Sequence, residues 1–170
     1  MHSEDEPQLV YVYEIMSKNL VKVKHNVSTS EISYIMVKKR ISSVTVIDDN
    51  EKIIGIVTEK DLVREVCAKN VLATTLTAAK VMSSPLITVS RNSTIIDAAK
   101  LMVKKRIRHL AIQENNDIIG IVSTYDLINV LRNVIKSMAL DSSLLDAISM
   151  TEIPLEEGGF SYPLSEDELK

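Results

Sequence analysis

A hydroxyl side chain and a carboxylate lie three residues apart at two places in this sequence. The first place is GIVTEKD, Gly55–Asp61, and the second is GIVSTYD, Gly120–Asp126. Each begins with an apolar, β-branched run typical of a buried strand and continues into a helix signal. A helix N-terminus offers free N–H groups and the positive end of a dipole. The spacing therefore predicts a helix cap, an anion-binding site, or both.

Two interpretations of this spacing stay open. Thr58 and Asp61 are spaced as the two partners of a capping box, with Asp standing in for Glu. In the second interpretation the hydroxyl binds phosphate and the carboxylate accepts hydrogen bonds from two adjacent ribose hydroxyls. The interpretations are compatible, because one carboxylate oxygen can cap the helix while the side chain also faces a ligand.

The two segments belong to a longer internal repeat. MVKKRI occurs at 36–41 and again 66 residues later at 102–107, and IIGIV occurs at 53–57 and again 65 residues later at 118–122. One residue is therefore lost between the two strings of the second copy. The turn at Asp48–Lys52, against Glu114–Asp117, is the predicted place. Long strings repeated in the same order indicate a duplicated structural unit.

Each copy predicts the element order β-α-β-β-α. After a short extended stretch, a helix begins at the capping residue Ser28 or Thr94, with apolar residues at helical spacing. The KKR strings close these helices, where cations oppose the negative end of the dipole. Two β-type runs follow, and a second helix then starts at Thr58 or Ser123.

One such unit is too small to bury its own sheet. We therefore predict an α/β fold in which two repeats pack about a pseudo-twofold axis. The predicted divisions are an N-terminal arm (1–11), repeat 1 (12–69), a linker (70–79), repeat 2 (80–135) and a C-terminal helical extension with an acidic tail (136–170). A helix is predicted over Asp126–Met138, with a further apolar run at Leu144–Met150.

Composition argues against several function classes. The net charge of −3, the pI of about 5.7 and the 4% aromatic content do not favour nucleic-acid binding. The single cysteine and three scattered histidines predict neither a disulfide nor a zinc site. The four glycines form no GxGxxG or Walker loop. No run spans a bilayer and no signal peptide is evident, so we expect a cytoplasmic protein that does not bind membranes.

The tandem β-α-β-β-α repeats, each with G-h-h-[ST]-x-x-D, resemble a pair of cystathionine-β-synthase (CBS) domains over roughly residues 12–135. In this family the paired repeats form a compact module with two symmetry-related clefts. Many members bind AMP, ADP, ATP or S-adenosylmethionine there. The resemblance implies a regulatory module that requires no cofactor, is not an enzyme, forms a homodimer and signals to an effector protein.

The resemblance also implies roles for individual residues. Asp61 and Asp126 would hold ribose, Thr58 and Ser123 would lie near ribose or phosphate, Ile56 and Ile121 would line the base pocket, and Val21 and Ile87 would contact adenine from the opposite repeat.

The two clefts are expected to differ. Arg108 and His109 stand where family members often place basic phosphate contacts, whereas the matching residues of the first copy are Ser42 and Ser43. We expect the Asp126 cleft to favour a phosphorylated ligand and the other to take a less charged ligand or stay empty. The alternatives are a solvated cation for Arg108 and a hydrogen-bonded, partly buried role for His109.

Two rival functions remain at this stage. In an interaction protein the repeated hydroxyl–carboxylate pairs would only cap helices, and the acidic tail or the Leu144–Met150 run would bind a partner. A nucleotide hydrolase would need a metal ligand set or a general base, and the sequence shows no candidate for either.

Overall fold

The computed structural model describes residues 9–137, which form two compact units. We call residues 21–85 the Asp61 unit, and residues 9–20 together with 86–137 the Asp126 unit. Most of the predicted N-terminal arm, the Leu144–Met150 run and the acidic tail lie outside the described residues.

Each unit contains a three-stranded mixed sheet. The strands are β1 (Lys22–Lys24), β2 (Ser43–Ile47) and β3 (Ile53–Thr58) in the Asp61 unit, and β4 (Thr88–Ser90), β5 (His109–Glu114) and β6 (Asp117–Ser123) in the Asp126 unit. In both sheets the first strand is parallel to the second, and the second is antiparallel to the third. The predicted α/β class and the repeated strand order are confirmed.

Helices separate and follow the strands as the sequence predicts. The Asp61 unit has α2 (Thr29–Lys39), α3 (Glu59–Leu62) with a π-helical continuation (Val63–Cys67), and α4 (Ala78–Val81); the Asp126 unit has α1 (Val12–Ile15), α5 (Ile95–Lys105) and α6 (Thr124–Ser137). The α2 and α5 helices begin at the predicted caps Ser28 and Thr94. The reciprocal capping box forms at Thr94, whereas at Ser28 only the hydroxyl accepts its bond.

A short segment at the start of each predicted repeat forms an isolated β-bridge with the last strand of the other repeat's sheet. Ser17 exchanges main-chain hydrogen bonds of 2.9 and 3.1 Å with Ile121 in the Asp126 unit. Ser83 does the same with Ile56, at 2.8 and 3.2 Å, in the Asp61 unit. The end of the predicted 70–79 linker is also part of the Asp61 unit, because Ala78 is fully buried in the hydrophobic core of that unit.

The loop deletion inferred from the repeat offset falls where it is predicted. The β2–β3 turn spans residues 48–52, whereas the β5–β6 turn has only Asn115 and Asn116. These two residues have φ values of 49° and 70°. Positive φ at both central residues is the geometry of a two-residue type I′ hairpin, which asparagine tolerates well.

The apolar face predicted for α6 is covered only in part. Leu127 packs against the core of the Asp126 unit, and Ile135 is buried. Leu131 and Val134, which the helical spacing places on one face with Leu127, stay 56% and 43% exposed. The exposed side of α6 is therefore apolar.

The cap of α5 predicts a pH-dependent contribution to stability. The Thr94 hydroxyl donates to Oδ2 of Asp97 at 2.7 Å, and this bond, aided by the Thr94 N–H, lowers the pKa of Asp97. A lowered folded-state pKa stabilises the fold above the unfolded pKa of about 4, and the contribution is lost as pH falls through the folded value. We expect Thr94→Ala to lower the free energy of unfolding at pH 7 and to lower it less at pH 3, measured by urea unfolding. An equal cost at both pH values would contradict this assignment.

Candidate ligand-binding site

Both hydroxyl–carboxylate pairs form a helix cap at a strand-to-helix junction. Oδ2 of Asp61 accepts from the N–H of Thr58 at 2.9 Å and from its hydroxyl at 2.6 Å. Oδ2 of Asp126 accepts from the N–H and hydroxyl of Ser123 at 2.7 and 2.6 Å. The capping interpretation thus holds at both junctions, and it uses only one oxygen of each carboxylate. Whether a second role is open depends on the other oxygen.

The second oxygen, Oδ1, differs between the two aspartates. Oδ1 of Asp61 accepts from Nη2 of Arg64 at 2.8 Å and from the hydroxyl of Ser83 at 3.2 Å. Among the described residues, no side chain of residues 9–135 and no main-chain N–H donates to Oδ1 of Asp126. Asp61 is only 3% exposed, whereas Asp126 is half-buried. Asp126 therefore retains acceptor capacity that Asp61 has already used.

The donor to Asp61 belongs to a chain of charges, which we call the α3 charged cluster: Asp61, Arg64, Glu65 and Lys69. Nε of Arg64 donates to Glu65 at 2.8 Å, and Lys69 donates to the other oxygen of Glu65. Hydrogen bonds to Glu65 and Asp61 raise the pKa of Arg64, and Lys69 followed by Arg64 lowers the pKa of Glu65. The cluster thus fixes the Arg64 guanidinium from both sides.

The Asp126 unit cannot form this cluster. The residues 65 positions after Arg64, Glu65 and Lys69 are Asn129, Val130 and Val134, none of which carries a charge. This difference was not predicted from the sequence. The signal was present as an i,i+3 Asp–Arg pair in one copy and an Asp–Asn pair in the other.

The β5–β6 register places the predicted basic pair beside the hydroxyl of the Asp126 unit. His109 is the antiparallel partner of Ser123, and the carbonyl of Arg108 accepts from the N–H of Thr124 at 3.0 Å. Arg108 is exposed and His109 is half-buried. A basic residue therefore lies at the same strand end as Asp126.

The equivalent positions of the Asp61 unit carry no charge. Ser43 is the register partner of Thr58, and the carbonyl of Ser42 accepts from the N–H of Glu59 at 3.1 Å. The main-chain geometry is thus the same at both junctions, while the side chains differ in charge.

Of the apolar residues assigned by resemblance, Ile56 and Ile121 lie in β3 and β6, and Val21 and Ile87 immediately precede β1 and β4. Ile56 and Ile121 are 9% and 8% exposed. The carbonyl of Val21 accepts from Thr45 in the Asp61 unit, and the carbonyl of Ile87 accepts from Ala111 in the Asp126 unit. Their contacts with adenine stay a prediction.

The glycine of each motif is explained by close packing. A Cβ at Gly55 would lie 2.6 Å from Sδ of Met82, and a Cβ at Gly120 would lie 2.5 Å from Sδ of Met16. Either distance is far below van der Waals contact. The sequence carries the matching signal, since Met-Ser recurs 66 residues apart at 16–17 and 82–83.

The described residues contain no group of three or more His, Cys, Asp or Glu side chains able to hold a metal ion. A search of the same residues finds no helix with the length and apolarity needed to cross a membrane.

Comparison with known proteins assigns the family. The CBS domain family model matches residues 12–68 and 78–133. An uncharacterized protein of Methanopyrus kandleri is 35% identical over 122 residues, which are 71% of this chain but only 62% of that protein. An uncharacterized conserved protein from Pyrococcus horikoshii has a similar structure, with a TM-score of 0.70 and 28% identity over 75% of this chain and 96% of that one.

A CBS domain pair in complex with 5′-methylthioadenosine and S-adenosyl-L-methionine also has a similar fold. Its TM-score is 0.63 and its identity 24%, and the match covers 72% of this chain and 99% of that chain. The family model covers most of the chain in two copies. This protein therefore belongs to the CBS domain family and carries two CBS domains.

Proposed function

We propose that this protein is a regulatory module that binds an adenosine-containing ligand at the junction of β6 and α6. The ligand class comprises AMP, ADP, ATP and S-adenosylmethionine. The ribose hydroxyls donate to Oδ1 of Asp126, while Oδ2 continues to cap α6. Ser123 lies near ribose or phosphate, and Ile121 contributes to the base pocket.

The observation that carries this proposal is the acceptor capacity of Asp126. Its carboxylate is half-buried and positioned by Ser123, yet one oxygen has no donor within the described residues. A positioned carboxylate oxygen beside a helix N-terminus suits a ligand that brings hydroxyl donors and an anion together. Arg108 supplies positive charge at the same strand end. A CBS pair of the same fold forms a complex with two adenosine compounds.

We propose that the response to ligand passes through α6. Ligand binding at Asp126 acts on the first turn of this helix, whose exposed side carries Ile128, Leu131 and Val134. A ligand shifts the output only if it binds two arrangements of the protein with different affinity. A partner protein that contacts the exposed side of α6 would detect such a shift.

Binding titration tests the proposal. Protein freed of copurified small molecules by unfolding and refolding is titrated calorimetrically with AMP, ATP and S-adenosylmethionine, with UMP as the control ligand. We expect saturable binding of at least one adenosine compound and none of UMP. No binding of any of the three, by protein with native circular dichroism, would contradict the proposal.

Arg108→Ser tests the role of the basic position, since it copies Ser42 of the other unit. Loss of a charge-assisted contact predicts about 10-fold weaker binding of AMP, with adenosine binding unchanged. Lys105→Ser, which removes an exposed cation from the end of α5, serves as the charge-matched control. Equal weakening of AMP and adenosine, or an equal effect of the control, would show that Arg108 does not contact phosphate.

A second candidate function is a protein-interaction module without a physiological nucleotide. The exposed apolar side of α6 favours it, because apolar helix faces commonly form interfaces. Homodimer formation through such a face is compatible with either function. Leu131→Glu is expected to abolish dimerisation or partner binding, measured by light scattering, and to leave AMP affinity unchanged if the site is confined to the junction.

A further inference from the structure

The two aspartates differ in what occupies their second oxygen, and the difference has a consequence for ligand stoichiometry. In the Asp61 unit, Oδ1 accepts from the guanidinium of Arg64 and the hydroxyl of Ser83. In the Asp126 unit, Ser17 corresponds to Ser83 in the repeat and pairs with its sheet in the same way, but among the described residues its hydroxyl makes no hydrogen bond to Asp126. The matching residue for Arg64 is Asn129. The positions that ribose hydroxyls would occupy are therefore already taken in one unit only.

The bond from Arg64 competes with the bond that a ligand would offer. A hydrogen bond to a carboxylate is charge-assisted whether the donor is a guanidinium or a ribose hydroxyl. The exchange of Arg64 for a ribose hydroxyl would, however, remove the positive charge that is paired with Asp61. Burial adds to the difference, because a carboxylate that is only 4% exposed is unfavourable without a compensating cation.

Arg64 is itself fixed in this position. Its Nε donates to Glu65 while Nη2 donates to Asp61, and Glu65 is held in turn by Lys69. Because both ends of the guanidinium are bonded, rotation of Arg64 away from Asp61 would also break its bond with Glu65. A ligand that displaced Arg64 from Asp61 would therefore have to break two hydrogen bonds of the α3 charged cluster.

We infer that Arg64 is an internal occupant of the ribose acceptor of the Asp61 unit, so that the chain binds a single adenosine ligand, at Asp126. This inference rests on the proposed function and adds a specificity-determining residue to it. With Arg64 bonded to its second oxygen, Asp61 only caps α3, and the ligand binds at the other copy of the motif.

Stoichiometry in wild-type protein is the first test. We expect one AMP per chain by calorimetry with ligand-free protein. A stoichiometry of two would overturn the inference while the proposed function stands. No binding at all would contradict the proposed function, and the inference with it.

Arg64→Asn is the decisive variant, because it copies Asn129 and leaves Oδ1 of Asp61 without its cation. Titrated with adenosine, which needs no basic phosphate contact, this variant is expected to bind two ligands per chain where wild type binds one. Lys60→Asn, which removes an exposed cation from α3 outside the cluster, should keep the number at one. A folded Arg64→Asn protein that still binds one adenosine would overturn the inference.

A second variant keeps the test open if Arg64→Asn does not fold. In Asp126→Asn, with Arg64 intact, the inference predicts no AMP site of wild-type affinity. One AMP bound per chain with wild-type affinity by this variant would show that Asp61 accepts ligand despite Arg64, which would overturn the inference and leave adenosine binding by the protein established.

Discussion

Asp126→Asn is expected to weaken AMP binding by about 100-fold, which corresponds to the loss of charge-assisted hydrogen bonds from the ribose hydroxyls. The substitution keeps an oxygen that can accept from the N–H and hydroxyl of Ser123, so the cap of α6 persists. It replaces the free acceptor oxygen with an NH₂ donor, which cannot accept from a ribose hydroxyl. Calorimetric titration measures the affinity, and thermal unfolding without ligand measures the effect on stability.

Asp61→Asn is the matched control for this prediction. Its carboxylate is the buried partner of Arg64, so the variant is expected to lower the melting temperature and leave AMP affinity unchanged. The two variants should therefore show opposite profiles, one in binding and the other in stability. Equal AMP affinity for Asp126→Asn and wild type would show that Asp126 does not bind the ribose hydroxyls.

Gly120→Ala is expected to destabilise the protein by about 1–3 kcal/mol through overpacking. The added Cβ would lie 2.5 Å from Sδ of Met16 and 3.0 Å from the carbonyl oxygen of Ser17. The methionine side chain can move, but the Ser17 carbonyl accepts from the N–H of Ile121 and is fixed by the sheet. Urea unfolding monitored by circular dichroism measures the loss.

Gly55→Ala provides the comparison within the same chain. The atoms nearest its added Cβ all belong to the Met82 side chain, so the cost should be smaller than at Gly120. Combining Gly120→Ala with Met16→Ala should cost less than the two single changes together, because the contact is shared. Additive losses in this double-mutant cycle, or a Gly120→Ala protein as stable as wild type, would contradict the packing account.

Local features of the fold were predictable because they depend on residues close together in sequence. Ser28 and Thr94 begin helices because their side-chain oxygens accept from N–H groups three residues later. The shortened turn followed from the change in repeat offset, and Asn115 and Asn116 suit its positive φ values. The hydroxyl–carboxylate spacing likewise predicted the caps of α3 and α6.

Features that depend on distant residues were not predictable in this way. Nothing in the local pattern of residues 9–20 indicates that Ser17 pairs with Ile121, more than a hundred positions later. The same limit applies to Ser83, which reaches both Ile56 and Asp61. Sequence alone predicted that the two copies differ in positive charge near Arg108. It did not reveal that the Arg64 cation occupies the carboxylate of the first copy.

The most direct test of the central claim is a crystal structure of ligand-freed protein grown with saturating AMP. The account predicts electron density for one AMP per chain, with ribose hydroxyls donating to Oδ1 of Asp126 and Asp61 still bonded to Arg64. AMP bound away from Asp126, or ribose on Asp61 with Arg64 displaced, would contradict it.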